Sequence, residues 1–212
     1  MELLKKVAEK LENNNMQTFV VETKEEVYPI VKKLIPNDAV VGFGGSVSLS
    51  DTKVLEKLGN DGYKLLDRRV EGADVQKIYR DAFSADFYLC SSNAITENGV
   101  LYNVDGNANR VAAIAFGPKN VIIIAGKNKI VKDIDSAVRR VKEYVAPKNC
   151  VRLGLDTYCA KNGKCVSLNK ENPEMSDGCA SDSRICCDYI ISSRQRIKNR
   201  IKVILVNEEL GY

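Results

Sequence analysis

Two hydrophobic rhythms alternate along the first two thirds of the chain. Leu3, Leu4, Val7, Ala8 and Leu11 recur on one helical face, so residues 2–13 form an amphipathic helix. "MQTFVVE" (16–22) reads as a strand. Thr23 with Glu26 makes a capping box for a helix over 24–35, which Pro36 ends. "DAVVGFG" (38–44) is apolar without alternation, the pattern of a strand buried on both faces. Ser50 is placed to cap a helix at 51–58. Strand 63–68, helix 73–83 and strand 85–92 follow. A hairpin spans 94–104, turning at Glu97-Asn98-Gly99, and Asn107 is placed to cap a short helix at 107–115. "KNVIIIAG" (119–126) is a buried strand, and 131–146 is an amphipathic helix.

Strands alternating with helices over 16–146 predict an α/β fold: a doubly wound, mostly parallel sheet with helices on both faces. From Cys150 the periodicity fades. Residues 150–187 are rich in Gly, Asn, Ser and Cys and read as a loop-rich insert. "DYIISSR" (188–194) and "RIKVILVNEELGY" (200–212) return to strand character, the last rejoining the main sheet or covering its edge. Residues 1–212 therefore read as one α/β domain carrying a Cys-rich insert.

Composition narrows the function. The 212 residues are 44% hydrophobic and 28% charged, which suits a soluble globular protein with a substantial core. The net charge of +4 is mild and its basic residues are scattered. "RRVKEY" (139–144) and "RQRIKNRIK" (194–202) read as solvated surface, so no nucleic-acid partner is expected. Apolar runs such as "VIIIA" (121–125) fall far short of the ~20 residues of a membrane span. The first helix is interrupted by Lys and Glu, unlike a signal peptide, and a cytoplasmic location follows. There the seven cysteines serve as metal ligands or thiols rather than disulfides. The chain has no histidine. Ser-His-Asp triads, Cys-His pairs and His-ligated metals are thus excluded, and acid–base chemistry falls to Asp, Glu, Lys, Tyr or Cys.

Three constellations remain. "GFGGSVSLSD" (42–51) places two glycines and Ser46 between a buried strand and a helix. It is either a tight turn, its glycines taking positive φ, or a cradle for a phosphate or carboxylate. It lacks both the Rossmann and the P-loop spacing. Next, Asn93, Thr96, Glu97, Asn103, Asp105 and Arg110 crowd into one stretch. Turn and cap preferences explain most of the amides but leave Glu97 as a positioned carboxylate and Arg110 as its counter-charge or a partner for a substrate carboxylate. Last, Cys159, Cys165, Cys179 and Cys186 lie in one segment, with Cys187 adjacent. Four thiolates without histidine suit zinc or an iron–sulfur cluster; free thiols and disulfides are the alternatives.

"GFGGSVSL", "SSNAITENGVLYNVDGNANRVAAIAFGPKNVIIIAGKNKIV" and the closing "RIKVILVNEELGY" together resemble the LUD-domain family, lactate-utilisation proteins of the C subunit and YkgG type. The resemblance spans nearly the whole chain and implies a NagB/RpiA/CoA-transferase-like fold. "TENG" (96–99) is similar to the Ser-Glu-Asn-Gly motif of type I CoA transferases, which by analogy makes Glu97 a nucleophile. Relatives carry C-x5-C-x2-C-x6-C in the insert. Here the middle gap is thirteen residues, a lengthening that a surface loop tolerates. The resemblance implies a component of L-lactate oxidation to pyruvate, working with iron–sulfur partner subunits. On this reading a small carboxylate or other anion sits between the "GFGGS" turn and the "ITENG" hairpin, with Glu97 facing the glycine turn; Gly44, Gly45 and Ser46 offer it donors, and Asn93 orients it. Glu97 acts as base or nucleophile, and Arg110 pairs with the carboxylate. The cysteines hold an iron–sulfur cluster or zinc. A non-catalytic assembly or regulatory subunit and a stand-alone CoA or acyl transferase are the alternatives, and a homo-oligomer stays open.

Overall fold

The structure is a computed structural model describing residues 1–212. Helix α1 (Glu2–Asn13) buries Leu4, Val7, Ala8 and Leu11, the face its spacing predicts. Strand β1 (Gln17–Val21) follows. The Thr23–Glu26 capping box then opens a short 3₁₀ turn that runs into α2 (Val27–Leu34). Strand β2 (Val40–Phe43) leads through the glycine turn to α3 (Val47–Asp51) and α4 (Val54–Asn60). Ser46, not Ser50, caps α3: its Oγ accepts from Leu49 N at 3.3 Å. Lys53, at φ 53°, breaks the expected 51–58 helix in two. Strand β3 is only Lys64–Leu65, and α5 (Val75–Asp81) is capped by Asp74.

Strand β4 (Phe87–Cys90) is buried throughout, and the hairpin β5 (Ala94–Thr96) and β6 (Leu101–Asp105) follows it. Helix α6 (Asn109–Phe116) starts behind Ala108, which sits at φ 57°. Its cap is Asp105 rather than Asn107, because one Asp105 oxygen accepts from Arg110 N and Val111 N, both at 2.8 Å. Strands β7 (Asn120–Gly126) and β8 (Ile130–Val131) precede α7 (Ile134–Arg140). A π-helical turn at Val141–Val145 joins α7 to α8 (Ala146–Arg152). Pro147 explains the π turn: it has no N–H for a normal helical bond, and a π bulge absorbs the break. Helix α9 (Tyr158–Asn162), β9 (Asp188–Ser192) and β10 (Ile201–Val206) complete the chain.

The main sheet is wholly parallel in the order β1-β10-β7-β4-β2-β3. Strand β10 lies inside it, between β1 and β7, and so rejoins the sheet rather than covering an edge. Alternate residues of β7 go to opposite cores. Ile122 and Ile124 meet Val31, Leu49 and Leu58 on one face; Val121 and Ile123 meet Leu4, Leu11 and Ile114 on the other. Two buried faces explain the unbroken apolar runs. A second sheet, β8-β5-β6-β9, packs Tyr102 and Val104 on the α7–α8 helix through Ala137, Val141 and Ala146.

This topology positions the site. From β2 the chain steps outward to β3, then returns to β4 on the other side of β2. In open α/β sheets the crevice outside the carboxyl ends at such a reversal is where ligands bind.

Candidate functional site

A cavity of about 520 Å³ opens at that reversal. Each strand that ends there contributes: Gly45 and Ser46 after β2, Arg68 after β3, Ser91 to Asn93 after β4, Lys129 after β7 and Tyr212 after β10. The hairpin base adds Val104 and Asp105, α8 adds Asn149 and Arg152, and the Cys-rich insert closes one wall with Asp182 to Ile185.

The two glycines are needed for room rather than for positive φ; neither is among the residues in that conformation. A Cβ on Gly44 would stand 3.1 Å from Arg110 Cδ and 3.2 Å from Tyr88 Oη. A Cβ on Gly45 would stand 2.8 Å from Arg68 Nη2. The turn is thus pressed onto two arginines. Gly44 is not in the cavity lining, and its N–H is committed to Leu89 O at 2.9 Å. Gly45 and Ser46 line the wall.

Arg110 serves the protein itself. Its Nη1 donates to Ser91 O (3.0 Å) and Asn103 Oδ1 (2.5 Å). Its Nη2 donates to Asn93 Oδ1 (2.8 Å) and Val104 O (2.9 Å), and pairs with Asp105 Oδ1 at 2.7 Å. Asn93 Oδ1 also accepts from Val104 N. Asn93, Asn103, Asp105 and Arg110 therefore form one network that ties β4, the hairpin base and α6 together. A guanidinium has five N–H donors, and this one spends its terminal nitrogens on that network. Arg110 lines the cavity, but its expected pairing with a substrate carboxylate gives way to an organising role in the cavity wall. Asn103 is fully buried and its Nδ2 has no partner.

Glu97 lies elsewhere. It is exposed at the hairpin tip, its N–H bound to Val131 O at 2.8 Å. The tip rests on the end of α1: Asn14 Nδ2 donates to Asn98 O and Gly99 O, at 3.2 and 3.1 Å. Asn93 sits at the cavity, and four residues of extended chain put Glu97 about 13 Å beyond it. The expectation that Glu97 faces the glycine turn is corrected, because the hairpin runs away from the crevice. Thr96 is buried, and its Oγ1 accepts from Val100 N at 3.1 Å, shaping the turn.

Besides Arg110, the cavity carries cations that sequence reasoning missed. Arg68, Lys129, Arg152 and Arg184 line it, and none joins any of the chain's ion pairs. The lining acids are Asp105, already paired, and Asp182. The signal was available for Lys129: "KNK" directly follows the buried strand β7, as "GGS" follows β2. Arg68 lies against the Phe43 and Tyr79 rings, its guanidinium 5.9 and 5.5 Å from their centres. Arg152 Nε bonds Tyr212 Oη at 2.7 Å.

The four predicted thiols meet at a second place. Cys159, Cys165, Cys179 and Cys186 line an enclosed cavity of about 20 Å³ with Tyr102, Val141 and Tyr189. Cys187 is exposed and directs its Sγ to Arg184 O, so Cys186 is the one of the pair that turns inward. Burial raises the Cys186 thiol pKa while Arg184, 3.3 Å away through Nε, lowers it. No three Cys, Asp or Glu side chains stand close enough to share one ion. The buried Lys142 orders the loop, donating to Ser167 Oγ, Glu174 O and Asp177 O at 2.9, 2.6 and 3.0 Å. Cys150 is buried, 3.7 Å from Cys159 Sγ, and Cys90 is a core residue.

The LUD-domain family model matches residues 4–206. The chain belongs to the LUD-domain family. A crystal structure of a DUF162-family protein from Deinococcus radiodurans is similar to this LUD domain at a TM-score of 0.52 and 15% identity, covering 97% of this chain and 96% of that one. At that identity the likeness speaks for the fold. No curated protein matches the chain. No helix is long and apolar enough to cross a membrane.

Proposed function

We propose that this LUD domain binds a small anionic molecule, bearing a carboxylate or phosphate, in the 520 Å³ cavity, and that it does so as a component of lactate utilisation beside iron–sulfur subunits. One observation carries the reading: four cations outside every ion pair of the chain line one concave, polar cavity at the carboxyl ends of the strands. Unpaired positive charge in a recess attracts and holds anions. Arg68 and Arg152 supply charge, Ser46 Oγ and Asn149 supply neutral polar groups, and Gly45 lets the backbone come close. The family's name supports lactate as the pathway. A molecule of lactate's size fills only a small part of this volume, so the ligand is a larger anion or shares the cavity with one.

Cys159, Cys165, Cys179 and Cys186 have the chemistry of a soft-metal site, zinc or an iron–sulfur cluster, because an all-sulfur set without histidine selects such metals, but the loop would have to draw them together, since no three stand close enough to share one ion. When bound, the metal would supply electron transfer or staple the insert against the cavity wall. The acyl-transfer reading with Glu97 as nucleophile has less support, since that carboxylate lies outside the cavity.

Isothermal titration at low salt with lactate, pyruvate, inorganic phosphate and pyrophosphate tests the reading. At least one should bind, and the Arg68→Ala/Arg152→Ala double variant should lose that binding while keeping its unfolding midpoint. Binding that survives in the double variant would place the ligand elsewhere.

A further inference from the structure

Arg152 stands beside an apolar strip inside the anion cavity. Val145, Asn149 and Arg152 line the cavity at i, i+4 and i+7, so one face of the helix that ends in α8 looks into it. Directly after Arg152 the chain turns tightly, with Gly154 at φ 66°. Three N–H groups of this turn are bonded back onto α8: Leu153 to Asn149 O, Gly154 to Val151 O and Leu155 to Cys150 O, at 3.0, 3.1 and 3.0 Å. The turn is thereby held in one conformation, with Leu153 and Leu155 on the cavity wall. The Cys-rich insert comes up against it, Ser181 Oγ donating to Asp156 O at 2.6 Å, and adds Ile185 to the same lining. Ile185 is fixed in turn against the hairpin base, where a Cβ on Gly106 would stand 3.1 Å from Ile185 Cα.

These apolar side chains are only partly covered. Leu153 is 46% exposed, and Leu155 and Ile185 are half-buried. A single leucine on a convex surface needs no explanation. Here three aliphatic side chains share a recess with Arg152, and apolar area left open in a recess is area that a ligand takes out of water. We propose that the ligand of this cavity is amphiphilic: an anionic group joined to an apolar chain or ring, the anion held by the arginines and the apolar body laid against Leu153, Leu155 and Ile185. The inference rests on the anion-binding reading above and adds what the ligand carries beside its charge. Lactate offers this wall a single methyl group; the ligand proposed here offers several carbons.

Isothermal titration of the full chain with two series tests it: inorganic phosphate and the alkyl phosphates from methyl to pentyl, and the carboxylates from acetate to hexanoate. A methylene fully removed from water tightens binding about fourfold, and on a wall open on one side about twofold. The longest member of the series that binds should therefore bind at least about tenfold tighter than its shortest ester or acid. That gain should persist at high salt, which screens only the charged contact, and pentanol, which lacks the anion, should not bind. In the Leu153→Ser/Leu155→Ser variant, with its unfolding midpoint checked, affinity should no longer rise with chain length. If the wild type binds the short anions but gains nothing along either series, the amphiphilic ligand is overturned and the anion site stands. A gain that survives in the folded variant puts the apolar body on another wall and overturns the assignment to these leucines. If no anion of either series binds the wild type, both readings fail.

Discussion

Replacing Arg110 with Met separates an organising arginine from a ligand hook. The Arg110 and Asp105 side chains are each 11% exposed, and their pair spans 2.7 Å. Removing one partner of a buried pair costs ~3–5 kcal/mol. Asp105 would keep its two backbone donors from the start of α6, which places the loss toward the lower end. Asn103 would lose its one partner, leaving a fully buried amide with none, and each orphaned group adds ~1–3 kcal/mol. A loss of about 4 kcal/mol follows, which lowers Tm by roughly 10 °C in a domain of this size. Urea unfolding followed by circular dichroism measures it. The double variant with Asp105→Asn should cost less than the sum of the two single variants, because the sites are coupled. A loss below about 1 kcal/mol, with anion binding abolished, would refute the organising role and restore Arg110 as a direct ligand contact.

Arg200 is 8% exposed and closes the end of α6, donating to Ala113 O, Ile114 O and Pro118 O. Arg200→Ala should cost ~2–3 kcal/mol in urea unfolding, and Lys should rescue little, since it lacks the planar fork. Gly99 sits at φ +74°, and a Cβ there would lie 2.7 Å from the α1 backbone; Gly99→Ala should lower Tm and loosen the hairpin tip by hydrogen exchange. Lys129 has a folded-state pKa lowered to about 7, so the unfolded chain binds more protons above that value. Unfolding free energy should gain a rising contribution between about pH 7 and 10, absent below pH 7, and Lys129→Met should flatten that rise. After anaerobic purification, Cys186→Ser should cut bound iron or zinc by more than half while Cys187→Ser leaves it unchanged; equal loss in both would undo the assignment of the inward thiol.

The fold was largely legible because burial on both faces leaves unbroken apolar runs. "VVGF", "FYLC" and "VIIIA" could be read as parallel strands before any contact was known. The boundaries that slipped did so for local reasons. Ser46 and Ser50 are equally good caps by residue type, and only the position of the glycine turn decides between them. Asp105 caps α6 from four residues upstream, out of reach of a rule that looks at the adjoining residue. The site was half legible. The glycine turn and Asn93 lie where their places at strand ends predict. Glu97 misled because its turn has an unusual composition, whereas its distance from the crevice depends on which way the hairpin leaves β4. Arg68, Arg152 and Arg184 come from three separated segments, and no spacing rule joins them. Arg110 shows the opposite error: an arginine among amides resembles a ligand hook until its acceptors are counted.

The account stands on the cavity's unpaired cations. Isothermal titration of inorganic phosphate into the wild-type chain and the Arg68→Ala/Arg152→Ala variant, at two ionic strengths, tests it most directly. The account predicts one-to-one binding that weakens with salt and vanishes in the variant, with unchanged unfolding midpoints. Equal binding by both proteins, or none by the wild type with any anion of the series, would contradict it.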